Sequence, residues 1–199
     1  YDILDIHLNE RGESFYNPHL PEIVQELEKK GLITLSAGAK CLFLENFVNR
    51  EGEPLPLMLQ KSDGGYNYDT TDMAAIHHRI FDEKGTHLIY VTDLGQAQHF
   101  KMIFAAAEKA GWLDPKKVRV DHVPFGLVVG SDGKKFRSRE GDTERLMDLI
   151  QEGVFRATKI IQEKNPDYTK EEIETVAHAL GIGAIKYADL STNRVGDYT

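Results

Sequence analysis

Residues 57 to 110 read as strand, loop, helix, strand, loop, helix, and that order limits the possible folds more than any other feature of the chain. Leu57-Met58-Leu59 is a short apolar run that opens into the polar, glycine-bearing stretch from Lys61 to Asp72. Met73, Ile76 and Ile80 then recur at helical spacing, with Gly85 as the stop. A second apolar run, His87-Leu88-Ile89-Tyr90-Val91-Thr92-Asp93, leads to Gly95, where another helix begins. Phe100, Ile103, Phe104 and Ala107 form its inner stripe and Gly111 ends it. Strands alternating with helices predict an α/β chain with a parallel sheet. The nearly unbroken apolar run at 87–92 predicts a strand covered on both faces. Tyr68, Asp72 and Gln96 all fall where the chain leaves a strand and enters a helix, and ligands of open parallel sheets sit at those strand ends. A phenol, a carboxylate and an amide gathered there suit a flat cation with several N–H donors, a guanidinium.

Each of the three also has a plainer explanation. Asp72 would be a first-turn acid in a helix capped by Thr70 or Thr71, a placement worth about 0.3–1 kcal/mol. Tyr68 would pack at a strand end, and Asp93 with Gln96 would form a reciprocal capping pair. On the functional side, an ionised carboxylate accepts two parallel bonds from a guanidinium, each worth roughly 1.5–3 kcal/mol. A lysine ammonium would leave some of the acceptors unpaired, so such a site would reject it. Spacing alone leaves both readings open.

Around this unit, Asn17-Pro18-His19-Leu20-Pro21 introduces a helix with Ile23, Val24 and Leu27 on one face and Gly31 as its cap. Two short strands are expected near Leu32–Leu35 and Lys40–Leu44. The polar link from Asn49 to Pro54 then marks a boundary. Val118–Val123 and Leu127–Val129 read as further strands. Beyond Gly141 the pattern is helical, with Leu146, Leu149, Ile150, Ala157, Ile160 and Ile161 as one stripe. Asn165-Pro166-Asp167 breaks that helix, and Thr169-Lys170-Glu171-Glu172 caps the next, whose inner face is Ile173, Val176, Ala177 and Leu180. The expected segments are 1–54, a connective α+β piece; 55–141, the α/β unit; and 142–199, a helical piece.

Hydrophobic content of 41% and charged content of 28% are those of a water-soluble globule, and no apolar run reaches membrane-spanning length. A formal net charge of −8 argues against binding nucleic acid by phosphate neutralisation. The single cysteine, Cys41, excludes an internal disulfide and fits a reducing compartment. His77-His78 lacks any metal-ligand spacing, so no protein-only metal site is expected. No Gly-x-x-x-x-Gly-Lys-Ser/Thr run is present, which disfavours the P-loop NTPases. Gly130 to Gly141 holds three glycines around Lys134, Lys135, Arg137, Arg139 and Ser138. It reads either as a loop closing over a triphosphate or as a solvated basic hairpin. The chain opens on Tyr1 rather than Met, as expected of a piece of something longer.

At these residues the chain resembles the arginyl-tRNA synthetases, class I aminoacyl-tRNA synthetases, in their eukaryotic cytosolic type. The resemblance runs through Glu10-Arg11-Gly12-Glu13-Ser14-Phe15-Tyr16, Lys61-Ser62-Asp63-Gly64-Gly65 and Tyr68-x-x-x-Asp72. It continues through Tyr90 to Gln96 with His99, then Lys134 to Arg139, Ile185 to Ser191, and Asn193-Arg194. The resemblance implies the second half of a Rossmann-like nucleotide-binding fold followed by a helical segment that leads toward an anticodon-binding domain. It implies that arginine and ATP, with Mg2+, form arginyl-adenylate and that the arginyl group then passes to tRNA-Arg. By the same resemblance Tyr68, Asp72 and Gln96 recognise L-arginine. ATP would meet His99, His122, Phe125, Gly126 and Leu127, together with Lys135 and Ser138 of the mobile signature loop 134–139. Lys135 and Arg139 stand as catalytic cations. The loop reads Lys135-Phe136-Arg137-Ser138-Arg139, so the family's usual second lysine is absent, and so is the His-x-Gly-His signature of the first half. A cytoplasmic setting, contact with tRNA-Arg mainly through regions outside this chain, and contacts within a multi-synthetase complex through N-terminal residues are further implications. A chain of this extent is expected to have little aminoacylation activity alone. The alternatives are a non-catalytic interaction or regulatory fragment with the same fold, and a different class I nucleotidyl transferase.

Overall fold

Glycine and polar turn residues divide this chain into elements whose apolar faces can meet, and a computed structural model shows how they do so. It describes residues 9–127, 129 and 146–197. A 3-10 stretch (Glu13–His19) leads into α1 (Leu20–Lys29), followed by β1 (Thr34–Ser36), β2 (Ala39–Val48), β3 (Pro54–Gln60) and α2 (Tyr68–Phe81). Then come β4 (His87–Asp93), a 3-10 turn (Leu94–Gln96), α3 (Ala97–Lys109), β5 (Arg119–Phe125), α4 (Leu146–Lys164) and α5 (Lys170–Ser191). One compact unit runs to Val91 and from Gly95 to Val123; a second takes Thr92–Leu94 and the chain from Pro124 onward.

The α/β class holds: β4, α3 and β5 form a crossover between two parallel strands. The run at 57–59 departs from the expected pattern. It lies in β3, which pairs antiparallel with β2, Leu57 opposite Leu42 and Met58 opposite Cys41, in a three-stranded sheet ordered β1-β2-β3. The reason is local. Asn49 accepts N–H bonds from Glu51 and Glu53 on its side-chain oxygen, and Gly52 takes φ +84°, so the polar link turns a hairpin back onto β2. Ala37 and Gly38, both at positive φ, close β1 onto β2 as a two-residue turn.

The glycine stops behave as read. After α1 the Gly31 N–H bonds to the Glu28 carbonyl and the Leu32 N–H to Leu27; after α3 the same pattern joins Gly111 to Glu108 and Trp112 to Ala107. Both are Schellman closures with glycine in the left-handed region, at φ +71° and +73°. The core of this unit gathers Leu27, Leu42, Leu57, Leu59, Met73, Ile76 and Ile103, each at most 2% exposed. Expected double cover of β4 is not found: Leu88 and Tyr90 are buried, whereas Ile89 and Val91 are 57% and 62% exposed. Tyr90 packs on Phe100 and Phe104 of α3, and among the described residues nothing covers the opposite face.

In the second unit, α4 and α5 form a helical hairpin. The capping box is present: Glu172 N–H bonds to Thr169 Oγ1 and Thr169 N–H to the Glu172 carboxylate. Ile150, Ile161 and Ala177 are buried, but Leu149, Ile160 and Leu180 point outward. The helices approach through Gly153 and Gly181 instead. A Cβ at Gly181 would stand 2.7 Å from backbone atoms of Val154, whereas one at Gly183 would meet nothing within 4 Å. Gly181→Ala should therefore lower the thermal midpoint read by helical circular dichroism. Gly183→Ala should raise stability by about 0.5–1 kcal/mol, because only the helix-propensity gain remains.

Candidate functional site

The cap of α2 sets the site. Asn67, extended at φ −134° and ψ −175°, is its N-cap residue, so the helix starts at Tyr68 rather than after Thr70 or Thr71. Those threonines are buried and serve main-chain carbonyls: Thr70 Oγ1 donates to Leu59 and Thr71 Oγ1 to Asn67. The first-turn acid is Asp69, and Asp72 lies beyond that turn, which removes the dipole explanation for Asp72. Asp69 is 7% exposed, and its Oδ2 accepts the Met58 N–H at 2.8 Å. α2 is thus tied to β3.

Tyr68, Asp72, Ala75 and Arg79 fall at helical spacing on one face of α2, and that face lines a cavity of about 300 Å3. Gln96, the N-cap residue of α3 with no side-chain capping bond, lines the same cavity. Arg11, Glu13, Tyr16, Thr71 and Phe100 complete the wall. The structure thus brings Tyr68, Asp72 and Gln96 to one opening, and adds Glu13 and Arg79, which sequence reasoning had not singled out. Arg79 could have been found from its place seven residues after Asp72. Glu13 falls in the Glu10–Tyr16 stretch that carried the resemblance, but its approach to the cavity depends on how the 3-10 stretch packs on α2.

His99 stands behind Asp72. Its Nε2 lies 2.7 Å from Asp72 Oδ2 and its Nδ1 3.4 Å from Asp69 Oδ1; the Tyr68 ring meets its edge at 5.0 Å. Burial disfavours the charged imidazole, but hydrogen bonds and charge from Asp69 and Asp72 outweigh that and raise its pKa to about 9. At neutral pH it is a cation. Arg11 pairs with Glu83 at 3.1 Å, and the Arg79 guanidinium lies over the Tyr90 ring, 5.0 Å from its centre. Two wall cations are therefore already placed, and His99 offsets one of the two aspartates. Stacking leaves the Arg79 charge intact, so Glu13, the second aspartate charge and Arg79 leave the wall one negative charge, and the cavity favours a cation.

The His122 ring sits 5.4 Å from that of Phe100, and Phe125 ends β5 on the surface. Gly126 N–H donates to the Arg194 carbonyl and Leu127 N–H to Asp197 Oδ1, so both backbone donors are engaged by the segment after α5. Lys135, Ser138 and Arg139 lie outside the described residues. Among the described residues no group of three His, Cys, Asp or Glu side chains could hold a metal ion. No described helix is long and apolar enough to cross a membrane.

Comparison with known proteins gives a consistent picture. The family model described as tRNA synthetases class I (R), catalytic domain, matches residues 1–199. The chain is similar to arginine–tRNA ligase of Protochlamydia amoebophila, 67% identical over all of the chain and 34% of the relative. It is 55% identical to arginine–tRNA ligase of a Nostoc species, over 100% of the chain and 34% of that protein. Among solved structures, arginyl-tRNA synthetase from Plasmodium falciparum superposes with a TM-score of 0.80 at 38% identity, covering 100% of this chain and 32% of that one. The chain thus spans about a third of the length of these relatives.

The His99 cluster predicts a pH-dependent stability. A histidine whose pKa is raised on folding contributes fully below its unfolded value near 6.5, and that contribution is lost as pH climbs through about 9. Urea midpoints should fall between those limits in the natural sequence, and the difference from His99→Gln should shrink over the same window.

Proposed function

The chain belongs to the class I tRNA synthetase (R) catalytic-domain family, and we propose that it supplies the arginine-recognising half of an arginine–tRNA ligase. The observation that carries this reading is Asp72, presented with Tyr68 and Gln96 at an opening whose other cations are already paired or stacked. The carboxylate receives one edge of the guanidinium, while the phenol and amide oxygens take remaining N–H donors. Glu13, across the same cavity, is a second acid for the substrate's positive groups. A cavity of about 300 Å3 is at the lower bound for small-ligand sites, and one amino acid suits it.

ATP, carrying Mg2+ on its phosphates, is the second substrate of this reading. With the Gly126 and Leu127 N–H groups engaged, the described residues account for the amino-acid half of the reaction. The nucleotide half rests on Lys135, Ser138 and Arg139 in the signature loop. Contacts with tRNA-Arg and with other synthetases are assigned to parts of the longer relatives that this chain does not span, and the setting is cytoplasmic. Taken alone, the chain would bind arginine and fall short of aminoacylation.

Three measurements test the assignment. In a full-length ligase carrying this chain, Asp72→Ala should weaken arginine-dependent exchange of pyrophosphate into ATP, with the KM for arginine rising by roughly tenfold to a hundredfold. An unchanged KM would remove Asp72 from the arginine site. Replacing Lys135, Arg137 and Arg139 together by alanine should slow adenylate formation while leaving arginine affinity within about twofold, because those cations act on departing pyrophosphate. Calorimetric titration with arginine and with lysine should give heat for the former alone.

A further inference from the structure

We propose that His99 is a positioning residue of the arginine site, holding the Asp72 carboxylate in one orientation while lying outside the cavity itself. This rests on the reading of Tyr68, Asp72 and Gln96 as that site, and it moves His99 from the nucleotide side, where resemblance put it, to the amino-acid side.

The geometry has three parts. First, His99 is reached from α2 by two acids at once. Asp69 and Asp72 are three residues apart on one helical face, and the imidazole from the first turn of α3 bridges them at 3.4 and 2.7 Å. Second, the bridge is anchored at its far end. Asp69 is buried and holds the Met58 N–H with its other oxygen, so the chain of contacts runs β3, Asp69, His99, Asp72. A carboxylate approached through its Oδ2 by a fixed donor cannot rotate freely. Third, the charges close. Asp69, Asp72 and the imidazolium together carry a single negative charge; Glu13 and the Arg79 guanidinium on the same wall offset each other, so one negative charge is left for one guanidinium to neutralise. Without the imidazolium, two aspartates would share the corner, and a proton or a solvent cation would compete with the substrate.

The groups facing His99 are Asp69, Asp72 and the Tyr68 ring from α2, with Phe100 beside it on α3. Arg79 and Tyr90 act on the cluster through Asp72. A residue that merely capped α3 would need no second acid, and one that contacted ATP would need an open ring nitrogen. Both ring nitrogens of His99 face carboxylates.

The test uses full-length ligase carrying this chain, with His99→Ala, His99→Gln and Asp72→Ala assayed by pyrophosphate exchange beside the natural sequence. His99→Ala should raise the KM for arginine on the order of tenfold, with kcat changed less and the KM for ATP within about twofold. His99→Gln keeps an N–H donor near Nε2 and should recover part of that loss at pH 7. The KM ratio of His99→Gln to the natural enzyme should fall toward one as pH rises to about 9.5, a ratio that cancels titration of the substrate's own amino group. A raised KM for ATP with unchanged KM for arginine would overturn the proposal. So would folded His99 variants, shown by thermal midpoint, that keep a natural KM for arginine while Asp72→Ala loses it. If Asp72→Ala also keeps its KM, the site reading fails first and takes this proposal with it.

Discussion

Two side-chain bonds from the first turn of α2 to β3 hold the rest in place. β3 pairs with β2, and where that register shifts, the Met58 N–H and the Leu59 carbonyl are met by side chains of α2. Asp69 accepts the first and Thr70 donates to the second, both from buried positions. An unpaired backbone group there would cost on the order of 1–3 kcal/mol. The helix therefore has one rotation about its axis that satisfies the sheet. That rotation points Tyr68, Asp72, Ala75 and Arg79 into the cavity, so a bond serving stability also aims the face that lines it.

The same acid links fold to chemistry. Asp69 faces the sheet with one oxygen and His99 with the other, and His99 in turn engages Asp72. Burial of an isolated carboxylate would push it toward its neutral form, and burial of an isolated imidazolium likewise. Together they stay charged. The pairing lets a buried corner present a fixed negative group to solvent, which the proposed arginine site would need to distinguish a planar guanidinium from a rounder ammonium.

Much of the secondary structure was legible. Gly31 and Gly111 end their helices with the left-handed closure their positions suggest, and Thr169 with Glu172 caps α5 in both directions. Such features depend on residues a few positions apart, so the chain carries them locally. The pairing of β3 was not legible, because an apolar triplet looks alike in parallel and antiparallel settings, and Asn49 with Gly52 made the difference. The cover of β4 was misjudged for a related reason: Ile89 and Val91 are apolar whether or not something packs on them. On the α4–α5 hairpin, the meeting of Gly153 with Gly181 turned Leu180 and Ile160 outward, against the stripe their spacing suggested.

For the candidate site, sequence by itself determined that a phenol, a carboxylate and an amide fall near the starts of two successive helices. Residue chemistry and helical spacing suffice for that, since both are fixed within a few residues. Tertiary structure alone decided that Glu13 and Arg79 share the opening, and that His99 is clamped between two acids. Those facts depend on where α3 and the 3-10 stretch land against α2, a matter of packing between segments 27 and more residues apart that no local pattern records.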